Sequence, residues 1–527
     1  MSSEKNITYV LCVIYRSEIS VIKQLNHRKN NLSFNLWCID IDNILSFGFA
    51  GFYIKLRIPM TREVDVAILG AGSAGLFAMS QVKRETDNYV LINGGELGTT
   101  CARVGCMPSK VLIQVAEDFH RKSIFDRHGI DGAEELSVDI PASMEHVQDL
   151  RDMFVDRTLG VTDDLDEEHL IDGYAKFISN DTVEVNGEQI KAKSIVIATG
   201  STPIVPAAWQ AFSDDVITTD EFFELEDLPA SMAVIGLGSI GLEIGQSLHR
   251  LGIDVTAVDQ LENIAKLEDD KVNDVAIATI GKEFPLWLGE AATLEKVEAG
   301  IQVRAGENQS VVDKVLASLG RRPNLDSLNL EATDVRLDEK GIPEYDPLTM
   351  QLGDLPIYIA GDVNMDRPLL HEAGHEGRVA GYNAVQHAVN GVVEKFKRKA
   401  ALGITFCDPN IATAGAQLSE LDESEIAIGE IQFAPVGRAL IMGKNRGLLR
   451  LYVQKSDGLL LGACMCCVKA ENLAHLIAWS IQNGMTVFDM LKMPFYHPVI
   501  EEALQAALYN VLPQLDIKQD LVELERI

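Results

Sequence analysis

The segment that decides the fold reads DVAILGAGSAG and covers residues 65–75. Its first five residues form an apolar stretch that predicts a buried strand, and a helical pattern follows its last glycine. Gly70 suits the tight turn, Gly72 would let the backbone approach a pyrophosphate, and Gly75 would let helix and strand pack closely. The N-terminus of the following helix would supply free N–H groups for a phosphate. This context predicts a dinucleotide site, with a glycine turn that binds no ligand as the alternative.

The same arrangement occurs again in GLGSIGLE, residues 236–243, after a second apolar stretch. Gly236, Gly238 and Gly241 repeat the three glycine positions, so we expect the chain to bind two dinucleotides. Asp259 ends the next predicted strand, where its carboxylate would bind ribose hydroxyls and repel a 2′-phosphate. We therefore expect NAD(H) rather than NADP(H) at this second site.

At the first site, Asn93 stands where an acidic ribose ligand is expected. Its amide oxygen can accept a hydrogen bond from a hydroxyl, although without the strength that a charge adds. Asn93 therefore remains a candidate contact to a ribose.

The rest of the pattern predicts two α/β units followed by an α+β region. The predicted strands before residue 400 cover 65–69, 89–93, 194–198, 254–258 and 356–360, and residues 111–160 are expected to be mostly helical. The last third predicts antiparallel strands over 432–464 and helices over 470–483 and 499–511. The fold class is thus α/β with two Rossmann-like dinucleotide-binding domains and a C-terminal α+β domain.

The stretch CARVGCMPSK, residues 101–110, holds the clearest chemical signal. A disulfide needs Cα atoms within about 7 Å, whereas residues five apart in a regular helix lie about 8–9 Å apart. The backbone between Cys101 and Cys106 must therefore be irregular, which Gly105 permits. Because Pro108 is tolerated only in a helix's first turn, Cys106 is placed near a helix N-terminus, where the dipole and Lys110 favour a thiolate. Two buried structural cysteines are the alternative.

Composition excludes several classes of function. The chain of 527 residues carries a net charge of −32, which disfavours binding to nucleic acid or to membrane surfaces. Its eight cysteines are not densely spaced, which fits a reducing compartment, and we expect a cytoplasmic location. We interpret Cys464, Cys466 and Cys467 as core residues and expect no metal site there.

Residues 1–59 mix apolar and basic residues without a clear period. We expect this segment to lie outside the core fold, with Met60 as a candidate natural start. A genuine N-terminal extension is the alternative.

From residue 60 to about residue 512, the chain resembles the class I pyridine-nucleotide disulfide oxidoreductases, and within that family the bacterial dihydrolipoamide dehydrogenases most of all. The resemblance is carried, in the family's order, by GAGSAG (70–75), CARVGCMPSK, IVIATGSTP (195–203), GLGSIGLE, LGRRPN (319–324), IYIAGDV (357–363) and HPVIEE (497–502). It implies an FAD-binding domain over 60–205, an NAD-binding domain over 206–330, a central domain over 331–400 that completes the FAD site, and an interface domain over 401–527.

The resemblance also implies roles for single residues. Cys106 would lie against the flavin and Cys101 would exchange with substrate, while Lys110 and Glu243 would pair beside the flavin ring. His497, held by Glu502, would be the acid/base and would come from the other subunit of a homodimer. Further FAD or NAD contacts are expected from Thr100, Thr199, Gly200, Gly320 and Asp362, in addition to the two glycine loops.

The implied reaction is dihydrolipoamide plus NAD⁺ giving lipoamide plus NADH, through a Cys101–Cys106 disulfide and FAD. The substrate would be a small dithiol or a lipoyl domain, and a 2-oxo acid dehydrogenase complex is a candidate partner. Val499 and Glu501 depart from the family's HPTxSE, and Thr99 and Thr100 replace part of its GGTC, which affects the substrate more than the chemistry. The alternatives are an NADH-dependent reductase of another disulfide or of a metal ion, and a flavoprotein scaffold without turnover.

Overall fold

The computed structural model describes residues 38–41, 44–49, 52–57, 61–518 and 524. The chain divides into two units, Met1–Met60 and Thr61–Ile527. In the first unit, the described residues form an antiparallel sheet of three strands. Their spatial order is Cys38–Ile41, Ile44–Phe49 and Phe52–Arg57. Residues 1–37 lie outside the described residues, and the expectation that residues 1–59 stand outside the core fold stays a prediction.

The second unit begins with a seven-stranded sheet around the buried strand Thr61–Leu69. This strand is parallel to both of its neighbours, Tyr89–Asn93 and Glu188–Ile197. The other strands of this sheet are Leu170–Asp172, Lys176–Ser179, Thr182–Val185 and Ile357–Ile359. The predicted strands at 89–93, 194–198 and 356–360 are all present here.

Two helices pack closely on this sheet, the first glycine-loop helix (Ser73–Val82) and Leu370–Asn390. Their approach depends on glycine, because a Cβ at Gly377 would lie 2.3 Å from the carbonyl oxygen of Ala74. At Gly381 the corresponding distance to the carbonyl oxygen of Ala78 would be 2.4 Å. Contacts this short are not tolerated, so larger residues would push the two helices apart.

A second, parallel sheet carries the second glycine loop. Its strands, in spatial order, are Val216–Ile217, Lys314–Ala317, Ser231–Ile235, Asp254–Asp259 and Leu286–Leu288. The second glycine-loop helix (Ser239–Arg250) packs beside it. Two smaller antiparallel sheets accompany it, made of Thr293–Val297, Gly300–Ala305 and Asn308–Val312, and of Ser201–Pro203 with Arg321–Pro323.

The C-terminal part is an antiparallel five-stranded sheet covered by helices. In spatial order its strands are Leu402–Thr405, Asn410–Gly415, Leu460–Cys467, Gly447–Gln454 and Ile426–Gln432. Helices Ala470–Gln482 and Glu502–Val511 pack on it. The buried Cys464, Cys466 and Cys467 lie in one strand, which confirms that they are core residues. The predicted fold class is confirmed.

The remaining α-helices are Thr100–Val104, the cysteine helix (Cys106–His120), Ile140–Leu159, Thr219–Phe222, Asp270–Ile280, Gly437–Met442 and Val487–Leu491. Among the helices described, none has both the length and the apolarity that a membrane span requires.

Two boundary predictions were wrong, and the mostly helical region predicted over 111–160 is present with one interruption. The region predicted as strands over 432–464 contains the helix Gly437–Met442, which ends at Gly443 in the left-handed conformation. Short 3₁₀ turns interrupt the predicted helical region between His120 and Ile140. The last helix begins at Glu502 rather than at 499, because residues 499–501 form a bend and turns.

A buried carboxylate joins the second glycine-loop sheet to the C-terminal sheet. Asp269 accepts hydrogen bonds from the Arg450 guanidinium at 2.5 Å and from the Tyr452 hydroxyl at 2.6 Å. Its other oxygen accepts bonds from the backbone N–H groups of Lys271 and Val272, which caps the helix Asp270–Ile280. Asp269 is 1% exposed, so all these groups depend on one another for hydrogen bonds.

We predict that Asp269→Ala lowers the free energy of unfolding by about 3–5 kcal/mol, because it removes the buried partner of the Arg450 charge and leaves only Glu430, at 3.2 Å. Urea unfolding followed by circular dichroism measures the loss. Asp270→Ala is the matched control, since Asp270 is exposed on the same helix, and its cost should stay below about 1 kcal/mol. Equal losses in the two variants would contradict the prediction.

Candidate active site

The two cysteines lie on two helices that meet at Gly105. Cys101 is in the short helix Thr100–Val104, and Cys106 is the first residue of the cysteine helix. Gly105 has φ −133° and ψ −119°, and a Cβ there would lie 3.0 Å from the carbonyl oxygen of Thr100. The expected irregularity at Gly105 and the position of Cys106 are both present. Cys101 itself belongs to a helix whose N-cap is Thr99.

The two thiols of the pair interact with each other and have unequal acidities. The hydrogen bond from the Cys101 thiol, followed by the charge of Lys110, lowers the pKa of Cys106 to about 7. The same hydrogen bond, together with burial, raises the pKa of the Cys101 thiol. In the reduced pair, the negative charge therefore rests on Cys106 and the proton on Cys101.

Lys110 lies one helical turn beyond Cys106 and pairs with Glu243. The ammonium nitrogen is 2.7 Å from Glu243 Oε2. Glu243 belongs to the second glycine-loop helix and is 5% exposed. Its other oxygen, Oε1, accepts a hydrogen bond from the backbone N–H of Phe406 at 2.9 Å. The ion pair thus connects the cysteine helix with the second glycine loop, as expected.

The two glycine loops have the shape that a pyrophosphate requires. At Gly70 and Gly75 an added Cβ would collide with backbone oxygens, at 2.3 Å from Ala198 and 1.8 Å from Gly70 respectively, and Gly236 and Gly241 are equally confined. At Gly72 and Gly238, in contrast, a Cβ would meet no protein atom within 4 Å. Neither of these two helix N-termini has a side-chain cap. The middle glycines therefore leave an open approach to uncapped helix N-termini, which suits FAD and NAD.

Asn93 and Asp259 occupy equivalent positions and make equivalent contacts. Asn93 Oδ1 accepts a hydrogen bond from Ala71 N at 3.0 Å, and Asp259 Oδ2 accepts one from Leu237 N at 2.6 Å. Each side chain thus fixes the glycine loop that precedes it. Because Asn93 can do this without a charge, the absence of an acid does not disturb the first loop.

The other predicted FAD contacts fall into two groups. Asp362 Oδ2 accepts a hydrogen bond from the Ser201 hydroxyl at 2.9 Å, and Thr199 donates to the carbonyl oxygen of Asn324 at 2.8 Å. Gly200 and Gly320 both take positive φ, at 67° and 97°. These residues lie next to the antiparallel pair of strands Ser201–Pro203 and Arg321–Pro323. Thr100 lies apart from this pair, exposed at the start of the helix that holds Cys101.

His497 and Glu502 form the expected pair. His497 Nδ1 lies 2.8 Å from Glu502 Oε1, while Glu502 Oε2 accepts a hydrogen bond from Val499 N at 3.1 Å. The hydrogen bond from His497 holds the pKa of the Glu502 carboxyl below its usual value. The His497 side chain is 82% exposed. Its predicted approach to the cysteines of a second subunit stays a prediction.

Sequence reasoning missed three residues that support this site. Phe406 contacts Lys110 and Glu243, Arg321 donates two hydrogen bonds to Ser201, and Asn324 holds Thr199. Arg321 and Asn324 lie in the LGRRPN motif, which could have indicated them. Phe406 lies in no motif that we recognised.

Family comparison agrees with this geometry. Residues 64–390 match the family described as pyridine nucleotide-disulphide oxidoreductase, and residues 402–508 match its dimerisation domain. The chain belongs to the pyridine nucleotide-disulphide oxidoreductase family. It is therefore an oxidoreductase whose cofactors are FAD and NAD(P), and the second matched domain supports the expected homodimer.

Relatives of this oxidoreductase differ in what they act on. It is 30% identical to a mercuric reductase of Staphylococcus aureus, covering 81% of this chain and 79% of the relative. It is 29% identical to a dihydrolipoyl dehydrogenase of Thermus scotoductus, over 85% of this chain and 97% of the relative. The fold is similar to a solved structure, the Cu(II) complex of the HOCl-induced flavoprotein disulfide reductase RclA from Escherichia coli. The TM-score is 0.73 at 22% identity, and the match covers 85% of this chain and 100% of that structure. This last similarity concerns the fold alone.

We predict that Gly238→Ala raises the Kd for NADH at least about tenfold, because a methyl group there would occupy the approach of the pyrophosphate. The folded protein itself has room for that methyl group, so the melting temperature and the bound flavin spectrum should not change. NADH titration by calorimetry measures the effect. Gly437→Ala is the control, since it also faces open space but lies in the C-terminal domain. An unchanged Kd in Gly238→Ala would refute our interpretation of the loop.

Proposed function

We propose that this oxidoreductase is a dihydrolipoyl dehydrogenase, which converts dihydrolipoamide and NAD⁺ to lipoamide, NADH and a proton. The observation that carries the proposal is the geometry of the cysteine pair. Cys106 begins a helix one turn before Lys110, whose ammonium is held 2.7 Å from Glu243, and the charge of Lys110 helps to lower the pKa of Cys106. The similarity to dihydrolipoyl dehydrogenases along 97% of the Thermus scotoductus protein supports this substrate.

The acidities assign different tasks to the two sulfurs. In thiol–disulfide exchange, the thiol of lower pKa is the better leaving group. A substrate thiolate would therefore attack the Cys101 sulfur of the oxidised pair, and Cys106 would leave as a thiolate. The second substrate thiol would then attack the substrate sulfur bound to Cys101, which forms lipoamide and returns a thiol at Cys101.

His497 would carry the protons of these two steps. Its Nδ1 is held by Glu502, which fixes the ring and directs Nε2 away from the carboxylate. Nε2 would accept the proton of the second substrate thiol and then give it to the Cys101 sulfur. The exposure of His497 on its own chain supports a site that is completed by a second subunit.

The electron pair then leaves the cysteines. FAD bound at the first glycine loop would supply the flavin chemistry through which the electron pair and the Cys101 proton reach NAD⁺ as a hydride, and the disulfide is restored. The one proton released overall is that of the substrate thiol that attacks as a thiolate. Asp259 supports NAD⁺ rather than NADP⁺, because its carboxylate ends the second strand of that unit and would repel a 2′-phosphate.

A metal-ion reductase is the second candidate, favoured by the 30% identity to a mercuric reductase. Within residues that the structure describes, no group of three or more His, Cys, Asp or Glu side chains is arranged to hold a metal ion. Among the described cysteines, Cys101 and Cys106 are the two that are not buried, and they are the candidate site for the ion in such a reductase. We further propose that the enzyme is located in the cytoplasm and that a 2-oxo acid dehydrogenase complex is its partner.

A substrate panel tests the proposal directly. We expect kcat/KM for dihydrolipoamide with NAD⁺ to exceed that for NADH-driven reduction of Hg²⁺, Cu²⁺ or glutathione disulfide by at least about a hundredfold. Cys106→Ser should lower dihydrolipoamide turnover at least about a thousandfold, whereas Cys464→Ala, in the core, should retain it. Faster turnover of a metal ion would favour the second candidate. No turnover of any substrate would leave a flavoprotein scaffold.

Subunit mixing tests the shared active site. Cys106→Ser and His497→Ala should each be inactive alone, yet co-expressed they should regain about a quarter of wild-type activity, because half of the dimers would hold one intact site. Co-expression of His497→Ala with Glu502→Gln is the control, since no mixed dimer would then combine an intact His497–Glu502 pair with intact cysteines. No recovery in the first mixture would place His497 and the cysteines of one site on the same chain.

A further inference from the structure

The second glycine-loop helix is bonded along one face to the segment Thr405 to Asp408. Its contacts come from Ser239, Glu243, Gln246 and Arg250, whose spacing of four, three and four residues places them on one face of the helix. Ser239 bonds the Thr405 hydroxyl at 2.7 Å, and Gln246 exchanges two hydrogen bonds with the backbone of Asp408. Arg250 contacts the Asp408 carboxylate at 3.2 Å. The segment is therefore held in a fixed position against this helix.

Within that segment, Phe406 makes two contacts with the Lys110–Glu243 pair. Its backbone N–H donates to Glu243 Oε1 at 2.9 Å, which leaves Oε2 for Lys110. Its ring lies under the Lys110 ammonium, 4.6 Å from nitrogen to ring centroid. An ammonium is attracted to the negative face of an aromatic ring. Both partners of the ion pair are thus oriented by one residue.

The position of the ammonium matters because two charges act on Cys106 in opposite directions. Lys110 lowers the pKa of the Cys106 thiol and Glu243 raises it. If Lys110 moved toward Glu243 and away from Cys106, the thiolate would lose its nearest positive charge while the carboxylate remained.

We propose that Phe406 is a positioning residue for the redox pair, which holds the Lys110 ammonium against Glu243, one helical turn beyond Cys106. It acts through Lys110 and does not itself exchange electrons or protons. This inference deepens the proposed function, because it rests on Cys106 being the thiolate that faces the flavin.

The test measures the pH at which Cys106 ionises in the two-electron-reduced holoenzyme, from the long-wavelength absorption that a thiolate gives beside an oxidised flavin. The absorption rises with pH as the thiolate forms. In the wild type, its midpoint should lie near pH 7, following the pKa of Cys106. Phe406→Leu should move the midpoint upward by about half a pH unit, since it removes the aromatic face. Phe406→Tyr keeps an aromatic face under the Lys110 ammonium, so its midpoint should equal that of the wild type.

Two further variants complete the design. Replacing Phe406 by trifluorophenylalanine keeps the size of the ring but weakens its negative face, so the same upward shift is expected without a change in packing. Phe119→Leu is the matched control, because it removes a similar ammonium–ring contact with Lys122 at the other end of the cysteine helix. Its midpoint should equal that of the wild type.

An unchanged midpoint in both the leucine and the trifluorophenylalanine variants would overturn the inference. So would a shift of equal size in Phe119→Leu. The proposed function fails separately: if wild-type protein does not oxidise dihydrolipoamide but Phe406→Leu still shifts the midpoint, Phe406 positions the pair for another substrate.

Discussion

The ion pair between Lys110 and Glu243 is the interaction on which the organisation of the site depends. Lys110 belongs to the cysteine helix, Glu243 to the second glycine-loop helix, and the N–H that orients Glu243 comes from the start of the C-terminal domain. Three parts of the fold thus meet at one carboxylate. Because Glu243 is buried, removal of Lys110 would leave an unpaired charge at a cost of about 3–5 kcal/mol. The arrangement therefore fixes the cysteine helix relative to the second dinucleotide loop and to the start of the C-terminal domain.

The second constraint is the joint at Gly105, which lets two helices carry two cysteines in contact. A side chain there would press on the backbone of the first helix. Through this joint, Cys106 gains both the helix N-terminus and the hydrogen bond from Cys101. With a pKa of about 7, its thiolate is well populated above neutral pH and is lost as the pH falls below that value. Cys101 has the opposite shift and keeps its proton throughout this range.

Much of the fold and of the candidate active site could be predicted from the sequence, because short motifs mark the two glycine loops and the cysteine pair. The two glycine loops and the position of Cys106 followed from short motifs. The Lys110–Glu243 and His497–Glu502 pairs were implied by the family resemblance, and the geometry contains each of them. The support by Phe406 could not be predicted, since Phe406 lies 163 positions from Glu243 and in none of the motifs that carry the resemblance. The helix Gly437–Met442 was also missed, because its apolar residues resemble those of the neighbouring strands.

The central claim is that Cys106 is the stabilised thiolate of an unequal pair and Cys101 the sulfur that exchanges with substrate. Stopped-flow reduction of the oxidised holoenzyme by dihydrolipoamide, recorded across the visible spectrum, tests it most directly. We predict that the long-wavelength thiolate–flavin absorption forms at least as fast as kcat, and that reduction is abolished in Cys101→Ser. Reduction at the wild-type rate in Cys101→Ser, or turnover without that absorption, would contradict the claim.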